Sequence, residues 1–241
     1  MKQWMALALS AWLLAALTGC GAEEAKSAPA QTPAAAAQTE DAAEAPASSP
    51  VRTTPQKTEH NVLIAYFTWA ENTHVDDPSS VDPDASTSAS VLPPGNTAEL
   101  AGWIQERTGG DLFSIRVTEP YSSDYDECLD RAAEEKQSRA RPALTDTVPD
   151  MAQYDVIFLG YPNWWYTLPM PVLTFLESYD FSGKTVIPFC AHGTGGLAES
   201  VDDLRAALPD STTVGRPIGV YRPDVDGAQP RIDAWLADQG F

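Results

Sequence analysis

Two adjacent tryptophans, Trp164 and Trp165, lie just beyond the apolar run at residues 156–160, with three residues between. A continuous Val/Ile/Phe/Leu run is typical of a strand buried on both faces of a parallel sheet, and ligands of such sheets bind beyond the carboxyl ends of the strands. Large flat apolar side chains at that edge indicate a planar aromatic ligand stacked against them. The alternative is that the two indoles only close the end of the sheet.

A second candidate site is polar. Thr68 and Trp69 follow the first apolar run, and Gly95, Asn96 and Thr97 stand at the mouth of a helical pattern. A hydroxyl, an amide side chain and free backbone N–H groups at a helix N-terminus predict an anion site, because the unpaired donors and the helix dipole both favour phosphate. Alternatively, Thr97 only caps the helix.

The loop after a third apolar run is rich in glycine. Its sequence is Ala191-His192-Gly193-Thr194-Gly195-Gly196, and such glycines let the backbone approach a ligand closely. Of the three histidines, which show no metal spacing, His192 alone falls in a candidate site, where it could hydrogen-bond the ligand or donate a proton. The loop that carries the tryptophans is Pro162-Asn163-Trp164-Trp165-Tyr166-Thr167.

Apolar runs alternate with helical patterns through the rest of the chain. Five strands alternating with five helices predict an α/β fold, an open five-stranded parallel sheet with helices on both faces. The predicted strands lie at residues 62–67, 112–117, 155–160, 184–190 and 214–221, and the predicted helices at 97–108, 124–139, 169–179, 196–207 and 229–237.

The sequence of the first 59 residues indicates an exported protein and predicts no folded segment. Residues 1–20 combine an early lysine with a short apolar stretch and end on Leu17-Thr18-Gly19-Cys20, which resembles a bacterial lipoprotein signal with Cys20 as the lipidated residue. An ordinary secretory peptide is the alternative. Residues 21–59 are rich in Ala, Pro, Thr and Gln and predict a disordered tether, so that residues 60–241 form the single folded domain.

The net charge of −19 excludes a nucleic-acid binder and would repel anionic lipid head groups, so the lipid is the only membrane contact that we expect. Besides Cys20 the chain contains Cys128 and Cys190, which could form one disulfide if their geometry allowed it.

The three loops together resemble the flavodoxin-like family. The segments that carry the resemblance are Tyr-Phe-Thr (66–68), Gly-Asn-Thr (95–97), Gly-Tyr-Pro-Asn-Trp-Trp (160–165) and Cys-Ala-His-Gly-Thr-Gly-Gly (190–196). A subgroup of that family is more similar still, through Tyr-Ser-Ser-Asp-Tyr-Asp-Glu-Cys (121–128) and Ala-Arg-Pro-Ala-Leu (140–144). The resemblance implies bound FMN, with its phosphate on Thr68, Asn96 and Thr97, its isoalloxazine against Trp69 and the Trp164–Trp165 loop, and backbone contacts from His192 to Gly195.

One departure from the family pattern stands in the phosphate loop, where residues 70–94 separate Thr68 from Gly95. Glu71-Asn72-Thr73 is a competing match at the expected distance from Thr68. We prefer Gly95-Asn96-Thr97, because a helix begins there and Glu71 would repel a phosphate. The acidic insertion is interpreted as a solvated loop, with a lid, a partner-docking loop and a cation site as alternatives.

Two classes of function follow. In the first, an FMN-dependent oxidoreductase or electron carrier, lipid-anchored outside the cytoplasmic membrane, passes electrons to a small acceptor or redox partner that the sequence does not identify. In the second, a cofactor-free flavodoxin-fold module binds a small ligand or an envelope partner. The broken phosphate loop favours the second class, and the aromatic and glycine loops favour the first.

Overall fold

A computed structural model of the chain describes residues 60–82 and 90–241. The predicted signal peptide with Cys20, the predicted tether and residues 83–89 of the insertion lie outside the described residues. Within the described part, no helix is both long enough and apolar enough to cross a membrane.

The sheet is open and its strands pair in parallel. β1 pairs with β2 on one side and with β3 on the other, and the order continues through β4 to β5, with β6 also beside β4. The order 2-1-3-4-5 is the flavodoxin-like one, with its switch point between β1 and β3, so the predicted fold class is confirmed. The strands are β1 (Val62–Tyr66), β2 (Asp111–Ser114), β3 (Val156–Pro162), β4 (Thr185–His192), β5 (Thr213–Val214) and β6 (Ile218–Tyr221).

The predicted fifth strand at residues 214–221 is wrong as one element. β5 pairs with the start of β4, where Val214 lies beside Val186, and β6 pairs with the end of β4, where Ile218 lies beside Phe189. Pro217, just before β6, has no N–H to donate to the sheet, which interrupts the pairing. Both pieces occupy the same edge of the sheet, so the five-position architecture is unchanged.

Within the described residues five helices cover the sheet, and most begin and end within two residues of the predicted positions. The fourth begins four residues later than predicted, because residues 193–199 form consecutive bends and turns and not helix. The glycine-rich loop is therefore longer and lies over the edge of the sheet. The helices are α1 (Asn96–Thr108), α2 (Tyr125–Ser138), α3 (Met170–Glu177), α4 (Ser200–Ala207) and α5 (Gln229–Ala237).

The sheet is buried on both faces, as the apolar runs predict. Successive side chains of β1 alternate between two clusters, with Leu63 in one and Ile64 in the other. Residues of α2, α3 and α4 belong to the first cluster, and residues of α1 and α5 belong to the second. With both faces covered, the carboxyl edge of the sheet is the place where loops are free to form a site.

Gly160 tests how tightly β3 and β4 pack. It pairs with Phe189, and a Cβ at Gly160 would lie within the van der Waals radius of that fully buried ring. We expect Gly160→Ala to lower the free energy of unfolding by about 1–3 kcal/mol, because the ring has no space to move into. Denaturant unfolding measures the change.

Gly102→Ala is the matched control. Gly102 lies in α1 and a Cβ there would meet nothing within 4 Å, so the same methyl group should raise stability by up to about 1 kcal/mol. Phe189→Leu should reduce the penalty of Gly160→Ala. Equal effects of the two alanines would contradict this packing.

Candidate functional site

An aromatic cleft of about 270 Å³ opens at the carboxyl ends of β1, β3 and β4. This volume is near the lower end of the roughly 300–1,000 Å³ found for small-ligand sites. Three of the predicted loops contribute to it, and one wall comes from the first turns of α2. The lining residues are Trp69, Tyr125, Cys128, Leu129, Ala132, Asn163, Trp164, Trp165, Tyr166, Gly193, Thr194, Gly195 and Arg222.

A tight hairpin turn carries the aromatic residues into the cleft. Trp164 and Thr167 exchange backbone hydrogen bonds of 3.0 and 3.1 Å, which leaves Trp165 and Tyr166 as the two central residues, with φ values of 51° and 66°. A two-residue hairpin loop with positive φ at both central positions is of the type I′ kind, and glycine or asparagine is usual there. Two bulky aromatic residues in the left-handed region cost roughly 1–2 kcal/mol each. Such local strain is typical of functional sites.

The adjacent indoles have different surroundings. Trp164 packs edge-on against Tyr121, Phe67 and Trp69, with ring centroids 5.1, 5.4 and 6.4 Å apart. Trp165 is 40% exposed, and its ring nitrogen donates to the Leu129 carbonyl at 2.9 Å. Trp164 is therefore part core and part cleft wall, whereas Trp165 belongs mainly to the cleft.

A smaller polar chamber of about 20 Å³ adjoins the aromatic cleft. It brings together the two halves of the predicted phosphate site: a Cβ at Gly95 would collide with the hydroxyl of Thr68, so the insertion returns the chain to direct contact with it. Gly95 has φ 79°, which glycine adopts at little cost. The lining residues are Thr68, Trp69, Ser90, Asn96, Thr97, Pro162, Asn163, Trp164, Ala191 and Arg222.

Two hydroxyl donors that line this chamber are unused within the described part of the chain. Thr68 and Thr97 are both 2% exposed, and within the described chain neither hydroxyl makes a hydrogen bond. Gly95 is the N-cap of α1 and supplies no side chain, so Thr97 does not cap the helix. The first backbone hydrogen bond of α1 runs from Glu99 N to Gly95 O at 3.1 Å, which leaves the preceding N–H groups free for an anion.

The side chains of the competing Glu71-Asn72-Thr73 segment are already hydrogen-bonded within the domain. Asn72 is 2% exposed, its side-chain nitrogen donates to the carbonyls of Thr68 and Ile115, and its oxygen accepts from Val117 N at 2.8 Å. Glu71 accepts hydrogen bonds from Tyr66 and Ser114, and its charge contributes to raising the pKa of Tyr66 to about 12, for which burial is the larger cause. These groups have no capacity left for a ligand.

Three of the predicted site residues line neither chamber: Gly95, which contacts Thr68 beside the polar chamber, and Thr167 and His192. His192 bonds through Nδ1 to Gly193 O at 2.6 Å, and its ring lies beside Gly219 and 6.2 Å from Tyr221. Neither chamber is lined by His192, so the structure gives no basis for a proton-donor role. Thr167 is buried and hydrogen-bonds to Asp203. Its neighbour Asn163 does line both chambers and donates to Gly196 O at 2.5 Å.

Some lining residues were not predicted from the sequence. One face of α2 contributes four of them: Tyr125, Cys128, Leu129 and Ala132. The Tyr-Ser-Ser-Asp-Tyr-Asp-Glu-Cys motif contains the first two, but the sequence assigned them no role. Arg222 begins the 3₁₀ helix Arg222–Gly227 directly after β6, and no motif pointed to it. It is the one charged side chain among the described residues that line the two chambers.

Neither cysteine of the described domain forms a disulfide or has a reactive thiol. Cys128 and Cys190 are both buried and free, so no disulfide joins them. Burial raises the pKa of the Cys128 thiol to about 12 and that of Cys190 further, which keeps both neutral and unreactive. No cluster of metal-ligating side chains occurs within residues 60–82 and 90–241.

The strained turn generates a prediction. Tyr166 is 62% exposed and contributes no side-chain hydrogen bond within the described chain, so Tyr166→Gly should remove the strain and lose little packing. We expect the free energy of unfolding to rise by about 0.5–1 kcal/mol, after allowance for the greater freedom of glycine in the unfolded chain.

Tyr221→Gly serves as its control. Tyr221 is 40% exposed with φ −68°, an ordinary extended conformation, so glycine there should lower stability by roughly 0.5–1 kcal/mol. Thermal or urea unfolding of both variants measures the difference. If Tyr166→Gly were as destabilising as the control, the turn would not be strained.

Comparison with known proteins agrees with this geometry. The family model for flavodoxin matches residues 86–217. A protein of Bacteroides uniformis, provisionally named a flavoprotein, is 26% identical with a TM-score of 0.57 over 74% of this chain and 98% of its own. Another so named, from Bacteroides eggerthii, is 28% identical with a TM-score of 0.54 over 74% of this chain and 96% of its own. No curated protein sequence matches this chain.

The flavodoxin model spans more than half of the sequence. It includes Gly95-Asn96-Thr97 at the start of α1, the tryptophan loop at residues 162–167 and the glycine-rich loop at residues 191–196. The chain belongs to the flavodoxin family.

Proposed function

We propose that this domain binds FMN and serves as a flavin-dependent oxidoreductase or electron carrier. The observation that carries the proposal is the contact between Thr68 and Gly95, because it joins the unused hydroxyls and the free start of α1 into one polar chamber beside an aromatic cleft. A ligand with a planar ring at one end and a phosphate at the other matches the chemistry of that pair of chambers.

The residues present fit FMN in their chemistry. The side chains of Thr68, Asn96 and Thr97 and the first N–H groups of α1 would hold the phosphate, since all are donors and no carboxylate is among the described lining residues. Trp165 and Tyr166 would cover one face of the ring, with Tyr125 and the 193–195 backbone completing the cleft. When bound, the flavin would supply the electron-transfer chemistry, and the protein would supply orientation and electrostatics.

The competing class, a cofactor-free binding module, drew its support from the interrupted phosphate loop. The insertion interrupts the loop in sequence, but Gly95 lies against Thr68 in space. This contact supports flavin binding, because the threonine hydroxyls and the start of α1 border one chamber despite the insertion.

The location of the protein is also part of the proposal. The ending Leu-Thr-Gly-Cys at residues 17–20 supports lipidation of Cys20, with residues 21–59 as a tether outside the cytoplasmic membrane. A domain held there would exchange electrons with a small acceptor or with another protein of the envelope.

Replacement of the phosphate donors tests FMN binding. Asn96→Leu and Thr97→Val keep side-chain size but remove two donors, and hydrogen bonds to a charged group are worth about 1.5–3 kcal/mol each. We expect each variant to bind FMN about 10- to 100-fold more weakly and riboflavin within about threefold of the wild type. Fluorescence titration measures both ligands.

Asn72→Ala is the control from the competing motif. It removes three buried hydrogen bonds, so it should lower the free energy of unfolding by about 2–4 kcal/mol and leave the ratio of FMN to riboflavin affinity unchanged. Equal losses of FMN and riboflavin in the Asn96 and Thr97 variants would argue against a phosphate site. Absence of any flavin binding by the wild type would overturn the proposed function.

Cys20→Ala tests the lipid anchor. The full-length wild type should enter the detergent phase on partitioning, whereas the variant should stay aqueous or accumulate as an uncleaved precursor. Cys128→Ala is the control, because that thiol is buried within the domain and should leave the partitioning unchanged. A mature wild-type protein that remains in the aqueous phase would mean that Cys20 is not lipidated.

A further inference from the structure

Arg222 differs from the other arginines of the described chain. Most of them form an ion pair or donate to a backbone carbonyl, and Arg139 lies exposed at the end of α2. Arg222 is half-buried and has neither kind of partner within the described residues. The engaged arginines are Arg116, Arg131, Arg141, Arg205 and Arg216, paired with carboxylates, and Arg107 and Arg231, bonded to carbonyls.

The described walls of the two chambers around Arg222 contain no carboxylate to neutralise it. The chain has 34 acidic and 15 basic residues, yet none of the described residues lining the two chambers is acidic. Removal from water lowers the pKa of the Arg222 guanidinium, while the nearby Tyr125 and Tyr221 act in the opposite direction. A half-buried, unpaired cation in an uncharged wall is costly to keep and favours an anionic ligand.

The position of Arg222 connects the two chambers. Four residues line both: Trp69, Asn163, Trp164 and Arg222. The ring nitrogen of Trp69 donates to Ser122 O at 3.0 Å, and the side chain of Asn163 donates to Gly196 O. Trp164 is held by its aromatic neighbours. Arg222 alone of the four is a long side chain without such a restraint.

The polar chamber is too small for a phosphate group unless part of its wall moves. Its volume of about 20 Å³ has room for roughly one water molecule. Rotation of the Arg222 side chain would enlarge it without breaking any hydrogen bond of the described chain. The guanidinium would stay within reach of whatever entered.

We propose that Arg222 is the movable wall between the aromatic cleft and the polar chamber, and that it binds the phosphate monoester of the ligand. The proposal rests on the proposed function and deepens it, because it assigns the choice of phosphorylated over unphosphorylated flavin to one side chain. Gly193 makes this placement possible: a Cβ there would lie 2.8 Å from Nη2 of Arg222.

The experiment compares FMN with riboflavin, which differ by the phosphate. In Arg222→Gln, FMN should bind about 10- to 100-fold more weakly and riboflavin within about threefold of the wild type. The wild type should lose FMN affinity as salt is raised, and Arg222→Gln should show a smaller loss. Arg222→Lys keeps the charge without the two-pronged geometry, so its preference for FMN should be intermediate.

Two further variants make the result specific. Arg216→Gln removes the same charge from the loop between β5 and β6, away from both chambers, and should leave the FMN to riboflavin ratio unchanged. Gly193→Ala keeps the charge but displaces the guanidinium, so it should lower the ratio of FMN to riboflavin affinity in the wild type and leave that ratio unchanged in Arg222→Gln. Unfolding midpoints establish that each variant is folded.

The outcomes separate this inference from the proposed function. If the wild type binds FMN and riboflavin but Arg222→Gln changes neither, or weakens both equally, Arg222 does not bind the phosphate and the flavin site stands. If Arg216→Gln reduces the FMN to riboflavin ratio as much as Arg222→Gln, the effect is one of net charge and the inference is wrong. If the wild type binds neither flavin, the proposed function fails and this inference fails with it.

Discussion

The close approach of Gly95 to Thr68 is the constraint on which the site depends. The first strand of an open parallel sheet delivers Thr68 to the carboxyl edge, but the chain then leaves for the acidic insertion and must return before α1 begins. The return leaves no space for a Cβ at Gly95 and requires a positive φ, so glycine meets both demands. Only with that contact do the threonine hydroxyls and the start of α1 face one chamber. The insertion can then vary in length, because loop closure grows only slowly more costly with length.

The tryptophan loop illustrates the opposite use of backbone conformation. At Trp165 and Tyr166 the chain adopts positive φ with large aromatic side chains, where a sequence selected for stability alone would have glycine or asparagine. The hairpin bonds between Trp164 and Thr167, together with the Lys136 bond to the Trp165 carbonyl at 2.7 Å, hold the turn in place. Edge-on packing of Trp164 on the core anchors one end. The strain is therefore compensated by contacts on both sides of the two exposed rings.

Much of the fold was predictable, because parallel strands buried on both faces leave continuous apolar runs. The sequence could not predict that Pro217 divides the last strand, since a proline at a sheet edge is tolerated in some contexts and interrupts pairing in others. Within the site, the loops after β1, β3 and β4 were predictable from topology. The direction of the His192 ring was not, because it depends on Gly219 leaving space for it. Arg222 was not predictable either: the predicted strand ends directly before it, at residue 221, but no sequence motif marked the arginine as part of a site.

Charge in this protein is distributed in two opposing ways. The sequence as a whole is strongly acidic, which favours solubility, whereas the described walls of the two chambers contain one cation and no carboxylate. Interactions between exposed charges are screened within about 8–10 Å at physiological salt, so the acidic surface acts weakly on a ligand inside the site. Arg222, half-buried and less screened, acts on it more strongly. From the net charge alone one would expect the whole protein to repel an anion. Within the site that expectation is wrong.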